Sequence, residues 1–338
     1  MAEEKKKLIV SISPHIRDEK TSSNMMRDVI IALAPAALGA IFFFGVKALA
    51  LILASISAAL FSEWVMLRIR KKKPVFPDFA SAVLTGLLLA LIVSPAIPWW
   101  MVVVGSAISI IIAKHLFGGL GYNIFNPALV GRAFILASWP LIMTRWLQPF
   151  DKLTTATPLA VVKSQFNPDA ALRINPLGFP SLSFLVGDPK MALTNMSEHL
   201  SAYWHLFLGN YGGCIGETSA LLLLIGAAFL FIRKVIDWRI PLSYVSTVFI
   251  LSALFGQDPI FSILAGGLML GAFFMATDPV TTPVTKPGRW IFGIGAGVIV
   301  VIIRLFGGYP EGVCYSILLM NAATPLLDRY AIGRRFGT

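Results

Sequence analysis

Residues 79–113 read FASAVLTGLLLALIVSPAIPWWMVVVGSAISIIIA, 35 consecutive positions without a charged side chain. As a single helix this run would be about 52 Å long, whereas the hydrocarbon core of a bilayer is about 30 Å thick. Pro95 and Pro98 stand near its middle, and proline breaks a helix by removing a donor and crowding the preceding turn. The run therefore predicts two membrane crossings joined by a proline turn. The same counting, carried outward, places spans near 29–46, 48–67, 79–97, 98–114, 126–146, 218–233, 240–257, 259–277, 289–306 and 312–328. Ala48-Leu49-Ala50 resembles a signal-peptide cleavage box, but the second apolar run begins there, so the first helix is expected to be retained.

Composition agrees with that reading. Of 338 residues, 57% are hydrophobic and only 13% charged, against about 25% charged in soluble domains. A net charge of +11 would suggest a nucleic-acid partner in a soluble protein. Here its distribution points to cytoplasmic loops instead, and no nucleic acid is expected. Counting spans from an inside start, 20 of the 28 Lys and Arg fall in inside segments: the N-terminus, the RIRKKK run at 68–73, Lys114, the 233–239 turn, Lys286 with Arg289, and the C-terminal tail. Short outside segments hold Lys47 and Arg304. Both termini are therefore expected to be cytoplasmic.

The order of segments also suggests duplication. Leu116-Phe117-Gly118-Gly119 recurs as Leu305-Phe306-Gly307-Gly308, and Ser94-Pro95 ends the third span as Asp278-Pro279 ends the eighth. Five crossings per unit is odd, so the two units must have opposite orientation. The expected fold is an all-α polytopic membrane protein of about ten transmembrane helices in two inverted five-helix repeats. The divisions are a cytoplasmic segment 1–28, a first repeat 29–146, an outward-facing segment 147–217, a second repeat 218–328 and a cytoplasmic tail 329–338.

Few side chains are equipped for chemistry. Cys214 and Cys314 are the only cysteines and stand 100 residues apart, so no iron-sulfur cluster or zinc site is expected within this chain. None of His15, His115, His199 and His205 pairs with another at helical spacing within one apolar span, which favours structural or solvated roles over haem ligation. Gly267 with Gly271, and Gly293 with Gly297, have the spacing of helix-packing contacts. Neither GGLG at 118 nor GIGAG at 293 follows a strand, so neither is a dinucleotide loop. Two ionisable residues at membrane depth need a reason. Glu63 lies near the inner interface, where RIRKKK offers it partners. Arg132 lies early in a helix opened by Asn126-Pro127, with Asn as cap and Pro in the first turn. Its guanidinium suits a phosphate, a quinone-like carbonyl or the C-terminus of a helix.

The segment 151–159, DKLTTATPL, reads on composition as a threonine-rich loop before a proline turn. Asp151, Ala156 and Thr157 nevertheless have the spacing of the D-x-x-[ST]-G-A-T signature that a flavin transferase modifies in membrane flavoproteins. SPHIRDEKTSSNMMRDV at 13, FNPALVGRAF at 125, TDPVTTPVTKPGRWIFGIG at 277 and RLFGGYPEGVCYSILLMNAATPLLDRY at 304 strengthen the likeness. Through these segments nearly the whole chain resembles the NqrB/RnfD family. Its short N-terminus and the ATPL after the motif resemble the RnfD branch, the D subunit of the Rnf ion-translocating electron transport complex. Thr155 departs from the family pattern, which has glycine at that place.

The resemblance implies FMN esterified through its phosphate to Thr157 on the outer side of a bacterial or archaeal cytoplasmic membrane. It implies electron relay within a complex linking ferredoxin and NAD+ to Na+ or H+ movement. Partners would be the A, B, C, E and G subunits of Rnf, above all the outward-facing, flavin-bearing G subunit, with a flavin transferase needed for maturation. Asn126, Pro127 and Arg132, with Thr277 and Asp278 from the other half, are candidates to line a flavin or ion site, which leaves room for a second, noncovalent flavin such as riboflavin. The inverted repeat alone would equally permit a stand-alone channel or secondary transporter for a small solute, and a purely structural membrane subunit is a third reading. Covalent flavin separates the first from the other two.

Overall fold

Apolar runs form the helices, and glycine, proline and side-chain caps end them. The computed structural model describes residues 21–71, 75–150, 154–155, 157, 159–160, 203–209, 211–309 and 311–331. In chain order the helices are α1 (Ser22–Phe44), α2 (Val46–Ile69), α3 (Phe76–Leu91), α4 (Trp99–Ile108), α5 (Pro127–Ser138) and α6 (Pro140–Met143). A two-residue ladder of β1 (Trp146–Leu147) and β2 (Thr154–Thr155) follows. Then come α7 (Ala220–Ile232), α8 (Arg239–Leu254), α9 (Pro259–Leu264), α10 (Leu268–Leu270), α11 (Lys286–Phe306) and α12 (Val313–Tyr330). Two wider π-helical turns extend this framework, Ser109–His115 after α4 and Gly271–Met275 after α10.

Three helices, α1, α2 and α11, are long and apolar enough to cross a membrane unbroken. The others are shorter, for identifiable reasons. Expectation and structure agree at the first proline turn: α3 ends at Leu91, and α4 starts behind Pro98, which occupies its N-cap. The fifth span, expected as one crossing over 126–146, is broken at Trp139, and Pro140 opens the one-turn α6. The eighth, expected over 259–277, is broken between α9 and α10, where Gly266 and Gly267 both have φ near +70°. A side chain at that φ is strained, so this pair marks a bend in the backbone. At the N-terminus, Thr21 caps α1 through its hydroxyl, so the first helix begins at Ser22 inside the segment expected to precede it.

α2 packs on α3 and α4, and α8 packs on α11, which in turn packs on α12. The two halves of this arrangement meet through α1 on α7 and α5 on α12. Close approaches rely on glycine. A Cβ at Gly293 or Gly297 would collide with Ser243 or Thr247 of α8, so the spacing read as a packing motif performs that role. Gly271 likewise lies against Val313 and Ile317, whereas Gly267 belongs to the bend.

Within residues 147–217, expected as an outward segment, the stretch 214–216 packs against the end of α3. Ile215 and Gly216 donate backbone N–H groups to the carbonyls of Val93, just past α3, and Leu91, its last residue, at 3.0 and 2.7 Å. Cys214 and Ile215 are fully buried there. The carbonyls at the α3 terminus are thereby satisfied by this returning loop, as apolar surroundings require.

Candidate functional site

Asp151 and Ala156 lie outside the described residues. Thr157 is described and buried, and its hydroxyl accepts the N–H of Ala160 at 3.1 Å. Both flanks of Thr157 are fixed. Thr155 pairs with Trp146 in the antiparallel ladder. On the other side, Leu159 Cδ2 packs 2.8 Å from where a Cβ at Gly266 would stand, and Arg304 Nη2 lies 3.1 Å from the same point. The segment expected as an exposed loop is thus tucked against the bend between α9 and α10.

Arg304, which meets Leu159 at Gly266, belongs to a largely buried ionic network. Arg132, on α5, is hydrogen-bonded to Glu311 and sits 3.5 Å from Glu217. Its Nε has no partner among the described residues. Glu217, from the returning loop, lies against Gly267 at the head of α10, where a Cβ would collide with its carboxylate. Arg304, counted from the sequence as an outer-loop charge, is instead buried in α11. It donates to the carbonyls of Ser262 (2.5 Å), Ala265 (3.1 Å) and Glu311 (3.2 Å). It therefore satisfies acceptors freed where α9 ends. Two guanidiniums face two carboxylates, so the network balances its charge. Cys214, Glu217 and Glu311 bring one ligand atom each within 4.8 Å of one another. Arg132 and Arg304 together balance those two carboxylates, which leaves little attraction for a metal cation.

A cavity of about 30 Å³ opens beside the network. Arg132, Glu311, Cys314, Thr144 and Trp146 are among the residues that line it. Trp146, which lines this cavity, is the ladder partner of Thr155.

A second, larger cavity of about 280 Å³ lies at the other end of α5. Asn126, Pro127, Thr277 and Asp278 all line it, together with Lys114, Asn123, Ser81 and Thr85 and the apolar Met25, Met26 and Phe274. Four of the five residues expected to share a site do so here. Arg132 does not, and borders the smaller cavity instead. Asn126 performs two tasks. Its Oδ1 caps α5 through the N–H groups of Ala128 and Leu129, and its Nδ2 donates to Met275 O at 3.3 Å, on the π-helical turn of the other half. Asp278 accepts from Val280 N and Thr281 Oγ1, both at 3.3 Å, which shapes the turn at the cavity rim.

Glu63 differs from the sequence expectation. It is fully buried and pairs with Lys114 (2.8 Å) and His115 (3.1 Å) on the π-helical turn after α4, not with the basic run that follows α2. Arg70 of that run turns inward to Gly118 O at 2.7 Å and lies 3.4 Å from His115 Nδ1. Lys114, counted as a loop charge, is buried as well. Sequence reading missed Glu217 and Glu311 because both fall in stretches taken for outer loops. The available signal was their setting: GCIGETS and GGYPEG place each acid beside glycines just ahead of an apolar run.

Comparisons with known proteins agree with this architecture over almost the full chain. The sequence pattern of the family described as NQR2, RnfD, RnfE matches residues 9–337. The D subunit of the proton-translocating ferredoxin:NAD(+) oxidoreductase complex of Clostridium ljungdahlii is 45% identical over 340 residues, covering 97% of this chain and 96% of the relative. The D subunit of the Na(+)-translocating ferredoxin:NAD(+) oxidoreductase complex of Acetobacterium woodii is 45% identical over 334 residues, covering 98% and 95%. The D subunit of the ion-translocating oxidoreductase complex of Salmonella enteritidis is 38% identical over 345 residues, covering 97% and 98%. With its apolar helices and these full-length matches, this multi-pass membrane protein belongs to the NQR2, RnfD, RnfE family.

Proposed function

We propose that this chain is the D-type membrane subunit of an Rnf-type ferredoxin:NAD+ oxidoreductase complex, relaying electrons through FMN held as a phosphoester on Thr157 while the complex moves Na+ or H+. The observation that carries the reading is the full-length similarity to subunits so named, in a chain that keeps a D-x-x-T-x-A-T motif at 151–157. On this reading both termini are cytoplasmic and Thr157 faces the outer side. Iron-sulfur centres and nucleotide sites then belong to partner subunits, because two separate buried cysteines cannot hold a cluster.

The residues around Thr157 suit the group. A phosphate ester on its oxygen would keep acceptor oxygens beside the Ala160 N–H. The Arg304 guanidinium, which meets Leu159 at Gly266, supplies positive charge nearby. Flavin supplies one- and two-electron redox chemistry that no side chain here offers. The chain fixes the attachment point between Thr155 and Leu159 and covers it from water. Asn123, Asn126, Thr277 and Lys114 in the larger cavity present donors and acceptors between apolar walls, a lining suited to a planar heterocycle such as a second, noncovalent flavin.

The test is direct. Coexpressed with a flavin transferase, the full chain should give a band that fluoresces in a denaturing gel, and Thr157→Val should abolish it. Peptide sequencing must place the flavin on Thr157 rather than Thr154 or Thr155. A dark wild-type band in the presence of active transferase overturns the assignment.

A further inference from the structure

Among the described residues that line the larger cavity, Lys114 is the one cation, and it is 1% exposed. It stands on the π-helical turn after α4, a coil type that recurs at functional sites. Its ammonium donates to Glu63 Oε2 at 2.8 Å and to Asp78 O at 3.4 Å. An ammonium carries three N–H groups, so one buried donor is left without an acceptor among the described residues. Glu63, on α2, does not line the cavity, so of this ion pair only the lysine reaches the space. His115 lies 3.1 Å from the other Glu63 oxygen, and Arg70 lies 3.4 Å from His115. The pair could serve packing alone, but a buried ion pair is a poor source of stability, since desolvation offsets most of its attraction. The rest of the lining suits an acceptor-rich ring: the Ser81 and Thr277 hydroxyls and the Asn123 amide are polar, and Met25 and Phe274 are apolar. At about 280 Å³ the cavity lies near the lower end of ligand pockets, about 300–1,000 Å³, which is the scale of a fused ring system rather than of a whole nucleotide.

Resting on the reading of this cavity as a noncovalent flavin site, we propose that Lys114 binds the flavin ring through its third N–H and biases it toward the reduced form, with Glu63 as the positioning residue that holds the ammonium at the cavity wall. Reduction adds negative charge to the ring, which a neighbouring ammonium favours. Glu63 opposes that effect from farther away, so the two charges do not cancel. At an effective dielectric of about 20 the difference amounts to about tenfold in the reduction equilibrium. No bond in this chain is made or broken and no side-chain proton moves. The two members of the pair therefore act with opposite sign on the potential, which a packing role does not require.

The experiment uses the full chain expressed without a flavin transferase, so that Thr157 stays bare, with riboflavin and FMN added as separate probes. The tighter binder shows whether the ring comes with or without its phosphate. Binding is read from quenching of flavin fluorescence, and the midpoint potential of the bound flavin from spectroelectrochemical titration with dithionite as reductant. Glu63→Gln with Lys114→Met removes both charges together and strands neither. It should weaken binding of oxidised flavin about tenfold and lower the midpoint by a further tenfold change in the reduction equilibrium, about 30 mV for a two-electron couple. Glu63→Gln alone keeps the ammonium and should raise the midpoint. If the double variant is not recovered, that single variant carries the test. Wild-type affinity and potential in the double variant, or a midpoint that does not rise in Glu63→Gln, overturn the proposal. A wild-type chain that binds neither probe overturns the noncovalent flavin reading and this inference with it, and leaves the assignment of Thr157 standing.

Discussion

Lys114→Met is expected to be among the most destabilising single substitutions in the first half of the chain. Lys114 is 1% exposed and holds Glu63, 0% exposed, at 2.8 Å. It also reaches Asp78 O at 3.4 Å. Methionine keeps most of the apolar stem and deletes only the ammonium. Glu63 then faces His115 alone, at an ion-pair distance of 3.1 Å but without the alignment of a hydrogen bond. Removing one side of a buried pair costs about 3–5 kcal/mol, or roughly two to four decades in the folding equilibrium. Removing both charges is different, because the stranded carboxylate disappears. Glu63→Gln combined with Lys114→Met should therefore recover more than half of the loss. The assay is unfolding in detergent micelles, followed by tryptophan fluorescence, on the two single variants and the double. Two results would refute the reasoning: a Lys114→Met chain within about 0.5 kcal/mol of wild type, or a double variant whose loss equals the sum of the singles, which means no coupling.

Two further outcomes follow from polar groups elsewhere. Asp237, in the turn between α7 and α8, accepts the Arg239 N–H and is bridged by the guanidiniums of Arg239 (2.8 Å) and Arg289 (2.5 Å). Burial pushes its pKa up, but these donors outweigh burial and hold it below the ordinary carboxylate value. A depressed folded pKa gives stability that is present above the unfolded value of about 3.9 and is lost as pH falls through the folded one. Stability contributed by this group should be flat from about pH 5 to 8 and fall below about pH 4; an identical acid limb in Asp237→Asn would sink the assignment. Asn321 is fully buried in α12, and neither its amide nitrogen nor its oxygen has a partner among the described residues. Asn321→Leu should raise the unfolding free energy by about 1–3 kcal/mol, and a less stable variant would show that the amide is being used.

What could be read from the sequence was local. Pro95 and Pro98 split the long apolar run, and Asn126-Pro127 starts a helix, because proline geometry and an asparagine cap act within a few residues. The helix-packing reading of Gly293 and Gly297 needed only their spacing. What could not be read was set by contacts distant in sequence. Glu217 and Glu311 follow no helical periodicity, and their pairing with Arg132 depends on segments distant in sequence coming together. The break at Gly266-Gly267 was hidden for a similar reason: glycine pairs are common in packed membrane helices, and only the backbone angles distinguish a bend from a contact. Arg304 and Lys114 misled the topology count as loop charges, although both are buried. The basic excess elsewhere was large enough to leave its direction unchanged.

The ionic pairs also constrain how the chain assembles. Arg132 and Glu311 are 179 positions apart, so the first half cannot neutralise Arg132 with Glu311 until the second half is in place. An unpaired arginine within apolar surroundings costs at least about 2.5–3.5 kcal/mol, enough to disfavour closure of α5 against its neighbours before α12 arrives. Leu159 can pack on Gly266 only once the bend between α9 and α10 exists, so the seat of Thr157 is completed late as well. In the finished arrangement Thr157 is 6% exposed. On the flavin reading, a transferase then has two routes: it acts before the second half closes over residues 154–160, or it waits for that short segment to lift. The second route requires breaking the two-residue ladder and the Leu159 contact while leaving the buried ion pairs intact. Opening confined to such a small set of contacts is far cheaper than separating the halves, so a transferase that meets the assembled chain would work by local opening.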